Sequence, residues 1–149
     1  MTFKSKIHLQ YLQLVQDRID VFIDMIAALT EDSKNDAKGS AGDKHETALS
    51  MMHIEQEKIN RKLREVLDQK IILDKIDSSN DSKTIILGSL VKANGIYLYL
   101  SVALPKIAVD GINVIALSPQ SPLGNNLLSN REGFTFAING TKYLVEEIV

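Results

Sequence analysis

From about Lys4 to Leu29 apolar residues return every three or four positions, at Ile7, Tyr11, Leu14, Val15, Ile19, Phe22, Met25, Ile26 and Leu29. That period predicts a helix with one apolar stripe. A second stretch, from about Asp43 to Ile76, places Met52, Ile59, Leu63, Val66 and Leu73 on one stripe with Leu67 and Ile71 beside it. Neither stretch contains an internal Pro or Gly. Between them, Thr30 to Gly42 loses the period and carries Ser33, Asn35, Gly39, Ser40 and Gly42, so it is expected to be a loop. Two long helices joined by a short connection pack antiparallel, each burying its stripe on the other in coiled-coil fashion. At 1.5 Å per residue, a first helix of ~26 residues would carry the connection on the order of 40 Å from its base.

After Asp77-Ser78-Ser79-Asn80-Asp81-Ser82 the pattern changes to short β-branched and aromatic runs separated by turn dipeptides. Asn94-Gly95 lies between a run ending at Ala93 and Ile96 to Leu100, Asp110-Gly111 between Ile107 to Val109 and Ile112 to Ile115, and Asn139-Gly140 between Phe134 to Ile138 and Thr141 to Ile148. Asn-Gly and Asp-Gly tolerate positive φ at both centres of a type I′ turn, so three β-hairpins are expected. One short helix is expected at Ser121 to Leu128, with Ser121 as N-cap and Pro122 in the first helical position. The domain plan is a helical hairpin over 1–77 with its tip at about 31–46, a linker at 78–83, and a β-rich domain over 84–149. The fold class is α+β.

Composition narrows the function classes. The 149 residues are 44% apolar and 24% charged, as in an ordinary folded protein. A net charge of −2 argues against wrapping nucleic acid by bulk electrostatics, so direct DNA binding is not expected. The chain has no cysteine, which excludes disulfides, thiolate metal sites and cysteine nucleophiles and fits a reducing cytoplasm. No run approaches the ~20 apolar residues of a membrane span, and no secretory segment stands at Met1 to Lys4, so a cytoplasmic protein without membrane contact is expected.

Asp43 and Glu46, in Gly42-Asp43-Lys44-His45-Glu46-Thr47-Ala48, invite a chemical reading. Asp at an N-cap with Glu three residues on is also a capping box, which explains the spacing with no chemistry at all. Residues three apart at a helix start share one side, so both carboxylates could equally face outward as hard oxygen ligands for Mg²⁺. Two carboxylates alone hold that ion weakly; the remaining ligands would have to come from another macromolecule.

The same residues resemble the Gre family of bacterial transcript-cleavage factors (the GreA/GreB family). Those factors carry at the finger tip Gly-Asp-Leu-Ser-Glu-Asn-Ala-Glu-Tyr and, a few residues on, Glu-Gln; here Gly42, Asp43, Glu46, Ala48, Glu55 and Gln56 stand in register. A second match, Ser121-Pro122-Leu123-Gly124-Asn125-Asn126-Leu127-Leu128, is similar to the Ser-Pro-Leu-Gly-x-x-Leu-Leu segment of the family's FKBP-like carboxyl-terminal domain. The resemblance implies an accessory transcription elongation factor rather than an enzyme. Its β domain would dock on RNA polymerase near Ser121 and Pro122, and its coiled coil would enter the secondary channel. There Asp43 and Glu46 would help hold a Mg²⁺ shared with the polymerase and promote cleavage of the backtracked RNA 3′ end.

Leu49-Ser50 replace the family's Glu-Tyr, and Ser129 to Phe134 keeps one basic residue and the second glycine of its Gly-Lys-Lys-x-Gly-Asp turn. The alternative is therefore a regulator that occupies the same channel without promoting cleavage. A remoter one is a prolyl isomerase or chaperone-like domain, which the absence of Trp disfavours. His8, His45 and His53 show no zinc spacing and are expected at the surface or in packing. Lys34, Lys38, Lys44, Arg61, Lys62 and Arg64 are expected to be solvated, and Met51 and Met52 to pack with the stripe.

Overall fold

The computed structural model describes the backbone of residues 1–39 and 43–149 and the side chains of residues 1–34 and 46–149. Helix α1 spans Phe3–Gly39 and α2 spans Asp43–Asp74. The expected loop over Thr30 to Gly42 is thus mostly helix: α1 continues through Gly39. Loss of apolar period signals loss of a buried face, not of helix, and Glu31, Lys34, Ala37 and Lys38 are good helix formers with no Pro among them. The chain forms two compact units, Gln13–Lys70 and a second made of Met1–Leu12 with Ile71–Val149. The start of α1 and the end of α2 therefore belong to the β-rich unit, where the sequence pattern placed them with the hairpin.

In the helical unit α1 and α2 run antiparallel. Val15 and Ile19 on α1 and Ile59 and Val66 on α2 are buried. On α2 the seam reads Leu49, Met52, Gln56, Ile59, Leu63, Val66 and Lys70, alternating steps of three and four as a coiled-coil face requires. One seam pair is polar: Gln56 Nε2 donates to Thr30 Oγ1 at 2.9 Å, and Thr30 in turn donates to the Ile26 carbonyl at 3.0 Å. A polar pair meets its partner in only one alignment, so it sets the register of the two helices. Met51, expected in the stripe, is exposed, while Met52 is half-buried.

The β-rich unit holds strands β1 (Leu90–Ala93), β2 (Ile96–Leu100), β3 (Leu104–Val109), β4 (Ile112–Leu117), β5 (Thr135–Ile138) and β6 (Thr141–Ile148), with helix α3 (Pro122–Leu127) between β4 and β5. All three expected hairpins form. Asn94, Asp110 and Asn139 have φ of 52°, 52° and 50°, each followed by a glycine at positive φ, which is the type I′ geometry. The strand order is β3-β4-β2-β1-β6-β5, antiparallel except for the parallel pair β2–β4. The fold is α+β: two long helices followed by a six-stranded mixed sheet.

The central strands pack on both faces. Val91, Ala93, Leu98, Leu100, Leu117 and Val145 alternate onto one face and pack with Ile85, Leu127 and the half-buried Leu123. On the other, Tyr97 and Tyr99 lie beside Val114 and Ala116 through the β2–β4 register, and the start of α1 covers them. Phe3 meets Tyr97 edge-on at 5.4 Å, and Tyr11 stacks on Tyr99 at 6.1 Å. Lys4, only 6% exposed, donates to the Asn80 carbonyl at 2.7 Å and the Val149 carbonyl at 3.3 Å. Burial lowers its pKa, opposed by the charges of Asp81 and Asp77.

Candidate functional site

The acidic motif stands at the start of α2. Asp43 opens α2, but its side chain and those of Lys38, Lys44 and His45 lie outside the described residues, as do Ser40 to Gly42, so the proposed capping box does too. Glu46 stands in the first turn of α2 and is exposed. Its carboxylate is a hard oxygen donor with no ion-pair partner among the described residues, which fits one ligand of a Mg²⁺ that takes its other ligands elsewhere. Among the described residues no three His, Asp or Glu side chains gather as a metal cluster.

Of the residues after Glu46, Thr47 is exposed and the next two turn inward. Ala48 and Leu49 are half-buried and Ser50 is exposed. Leu49 falls three positions before Met52, so the seam itself explains an apolar residue there. Ala48, Met51, Met52 and Glu55 on α2 face Leu29, Asp32 and Ser33 on α1 across a shallow groove. Glu55 pairs with Lys58 at 3.5 Å and Glu57 with Arg61 at 3.8 Å, all four exposed. Exposed pairs of this kind contribute little to stability. The Glu55-Gln56 match thus divides: one side chain faces solvent, while the other joins the helices through Thr30.

The second motif has a folding role at nearly every position. Ser121 is the N-cap of α3 with φ −66° and ψ 155°; its Oγ accepts from the Gly124 amide at 3.1 Å and donates to the Ser118 carbonyl at 2.6 Å. Pro122 occupies the first helical turn, where a missing N–H costs nothing. Gly124 approaches Ser118 so closely that a Cβ would lie 2.0 Å from the Ser118 carbonyl oxygen. Leu127 is fully buried and Leu123 packs against the same core. Ser121 is therefore occupied by the local turn, and Pro122 is exposed and open to a partner.

No family model matches the sequence, and no curated protein matches it. Among solved structures, one described as "Structure of the transcription factor Gfh1" aligns with 92% of this chain and 92% of its own, at 18% identity and a TM-score of 0.35. No helix among the described residues is long and apolar enough to cross a membrane.

A buried polar cluster between α1 and the sheet was not foreseen. His8 Nδ1 and the Tyr99 hydroxyl are 2.7 Å apart, and the Tyr11 hydroxyl donates to the Pro105 and Val114 carbonyls at 3.1 and 3.3 Å. Burial lowers the His8 pKa, partly offset by Asp74, pushes Tyr11 up to about 12, and pushes Tyr99 higher. Tyr11 was legible as a stripe residue and His8 as a packing histidine. Their partner Tyr99 is 91 positions from His8, and no local signal joins them.

Proposed function

We propose that this chain is a transcription elongation factor that enters the secondary channel of RNA polymerase and stimulates the polymerase's own cleavage of backtracked RNA. The observation that carries the reading is Glu46: an exposed carboxylate in the first turn of α2, three residues after Asp43, where two long helices join. The register match of Gly42, Asp43, Glu46, Ala48, Glu55 and Gln56 to the Gre tip supports it. Asp43 and Glu46 would offer oxygen ligands to a Mg²⁺ shared with the polymerase, an ion that activates water and stabilises phosphodiester cleavage. The chain's own work is to carry those carboxylates into the channel. Pro122 and the α3 start would face the polymerase surface.

A second reading, a channel-binding regulator without cleavage activity, is favoured by Leu49 and Ser50, which supply neither carboxylate nor phenol. The deciding experiment incubates the protein with a backtracked polymerase complex carrying 3′-labelled RNA, alongside Asp43→Asn and Glu46→Gln. Release of short 3′ fragments by the parent, lost in both variants, supports cleavage stimulation. Binding without fragments supports the regulator, and no binding removes both.

A further inference from the structure

The sheet ends in two edge strands that are treated differently. At the β3 edge, Tyr11 donates to the Pro105 carbonyl and Gln10 Nε2 to the Ala108 carbonyl at 3.5 Å. Pro105 offers no N–H, Lys106 is exposed, and the register shifts between Leu104 and Ile107. A proline, a charge, an irregular register and a covering helix are the devices that keep an edge from pairing.

The β5 strand lacks the first three, although α3 packs near it, with Phe136 against the same core as Leu123. Thr135, Phe136, Ala137 and Ile138 carry no charge, no proline and no shift against β6. Which of their backbone groups face outward follows from the other side of β6. Asn94 Nδ2 donates to the Lys142 carbonyl at 2.7 Å, and the Leu144 amide donates to Asn94 Oδ1 at 3.1 Å, so Lys142 and Leu144 turn their backbone groups toward β1. The Val145 amide instead donates to the Phe134 carbonyl at 2.9 Å, and Val145 accepts from the Gly133 amide at 2.8 Å. By the alternation of an antiparallel ladder, β6 therefore bonds β5 through Thr141, Tyr143 and Val145. Their partners are Ile138, Phe136 and Phe134, which leaves the N–H and C=O of Thr135 and Ala137 pointing away from the sheet. Both residues are exposed, and among the described residues nothing bonds those groups.

Beside this open ladder lies an aromatic row. Phe134 and Phe136 stack at 5.7 Å and 24°, and Phe136 and Tyr143 at 5.2 Å and 13°. A strand laid along β5 would set every second side chain against Phe136 and Phe134. We propose that the β5 edge is a strand-addition site for an extended, uncharged segment of a partner protein with apolar side chains at alternate positions.

A second copy of this chain is the poorer occupant. Two β5 strands paired edge to edge would share only their 4 residues each, a contact too small to reach the ~1,200 Å² that a stable dimer buries. An extended segment meets the unpaired backbone and the aromatic row together, which is the usual division between affinity and specificity in strand addition.

The test uses the full chain and a synthetic peptide of alternating Thr and Phe, with a lysine tail for solubility, followed by amide exchange and chemical shifts. Binding should slow exchange at the Thr135 and Ala137 amides by more than about tenfold and shift the Phe134 and Phe136 rings. Two N-methylated peptides give the sharper readout. Methylation of the alternate residues whose N–H faces β5 should abolish binding, while methylation of the other set should leave it. Ala137→Pro removes an outward N–H that the fold does not use, and Thr135→Lys adds a charge without touching the ladder; both should lose the peptide and keep the parent's spectrum elsewhere. No protection at Thr135 and Ala137, equal loss with both methylated peptides, or protection that grows with protein concentration alone would each overturn the proposal.

Discussion

The ring of Tyr11 lies over that of Tyr99, 6.1 Å between centroids and 12° from parallel, and so joins the first turns of α1 to the centre of the sheet. The Tyr11 hydroxyl reaches past the ring to two backbone carbonyls, at Pro105 and Val114. Tyr11→Phe keeps the stack and removes both bonds, so it should cost about 1–3 kcal/mol in chemical denaturation. Tyr11→Ala loses the ring as well and should cost about 3–5 kcal/mol. The alkaline limb follows from the same burial. An unfolded tyrosine ionises near pH ~10, whereas folded Tyr11 is held to about 12 and Tyr99 beyond it. A raised folded pKa means stability present in full below the unfolded value and lost as pH climbs from ~10 through about 12. Tyr11→Phe should show a shallower loss over that window; an unchanged slope would exclude Tyr11 as its source.

His8 contributes on the acid side in the opposite sense. Burial against Tyr99 lowers its pKa, with Asp74 opposing, so the unfolded chain binds the proton first. The stability this provides is complete above the unfolded value near ~6.5 and falls as pH drops through the lower folded value. Denaturation midpoints measured downward from pH ~7.5 should fall in the parent and fall less in His8→Gln. Equal slopes in the two would place the acid loss elsewhere.

Gly124 shows how a motif can be kept for packing. A Cβ there would meet the Ser118 carbonyl oxygen at 2.0 Å and the carbonyl carbon at 2.9 Å, both backbone atoms that cannot swing aside. Gly124→Ala should therefore cost about 3 kcal/mol, the upper part of the range for overpacking. Ser121→Ala should cost about 1 kcal/mol through loss of the cap. Ser121→Ala keeps Pro122 and leaves the helical hairpin untouched, so the polymerase binding proposed above, measured below the unfolding transition, should persist in that variant. Its loss in a folded variant would give Ser121 a direct contact.

What could be read in the sequence was local. Asn94-Gly95, Asp110-Gly111 and Asn139-Gly140 fold into the turns their residue types favour, and Ser121-Pro122 starts its helix, because each signal is complete within a few residues. The Thr30 to Gly39 segment reads as a loop because it loses the apolar period, yet its backbone is helical, since that period reports a buried face rather than helix itself. The parallel β2–β4 pair, the meeting of His8 with Tyr99 and the open β5 edge depend on contacts far apart in sequence, which no spacing rule encodes. The candidate site divides in the same way. The position of Glu46 at a helix start was legible from capping signals, while the metal chemistry proposed for it would depend on atoms of another macromolecule.

Leu49 and Ser50 separate the two functional readings most directly. Leu49 is half-buried on the seam and Ser50 is exposed one position on, so the two sites tolerate change unequally. Ser50→Tyr adds an aromatic ring to a solvent-facing turn and should leave stability within about 0.5 kcal/mol. Leu49→Glu places a carboxylate at the margin of the apolar seam and should cost about 1–2 kcal/mol unless the side chain snorkels outward. If the parent binds backtracked polymerase and stimulates only slow cleavage, the combined Leu49→Glu, Ser50→Tyr variant should raise the cleavage rate at unchanged binding, since it supplies beside Asp43 and Glu46 the acid and phenol that the Gre tip carries. The Glu46→Gln change in that background should abolish the gain. A doubly substituted protein that still binds and still releases no 3′ fragment would mean the tip is built to occupy the channel, and the regulator reading would stand in place of cleavage.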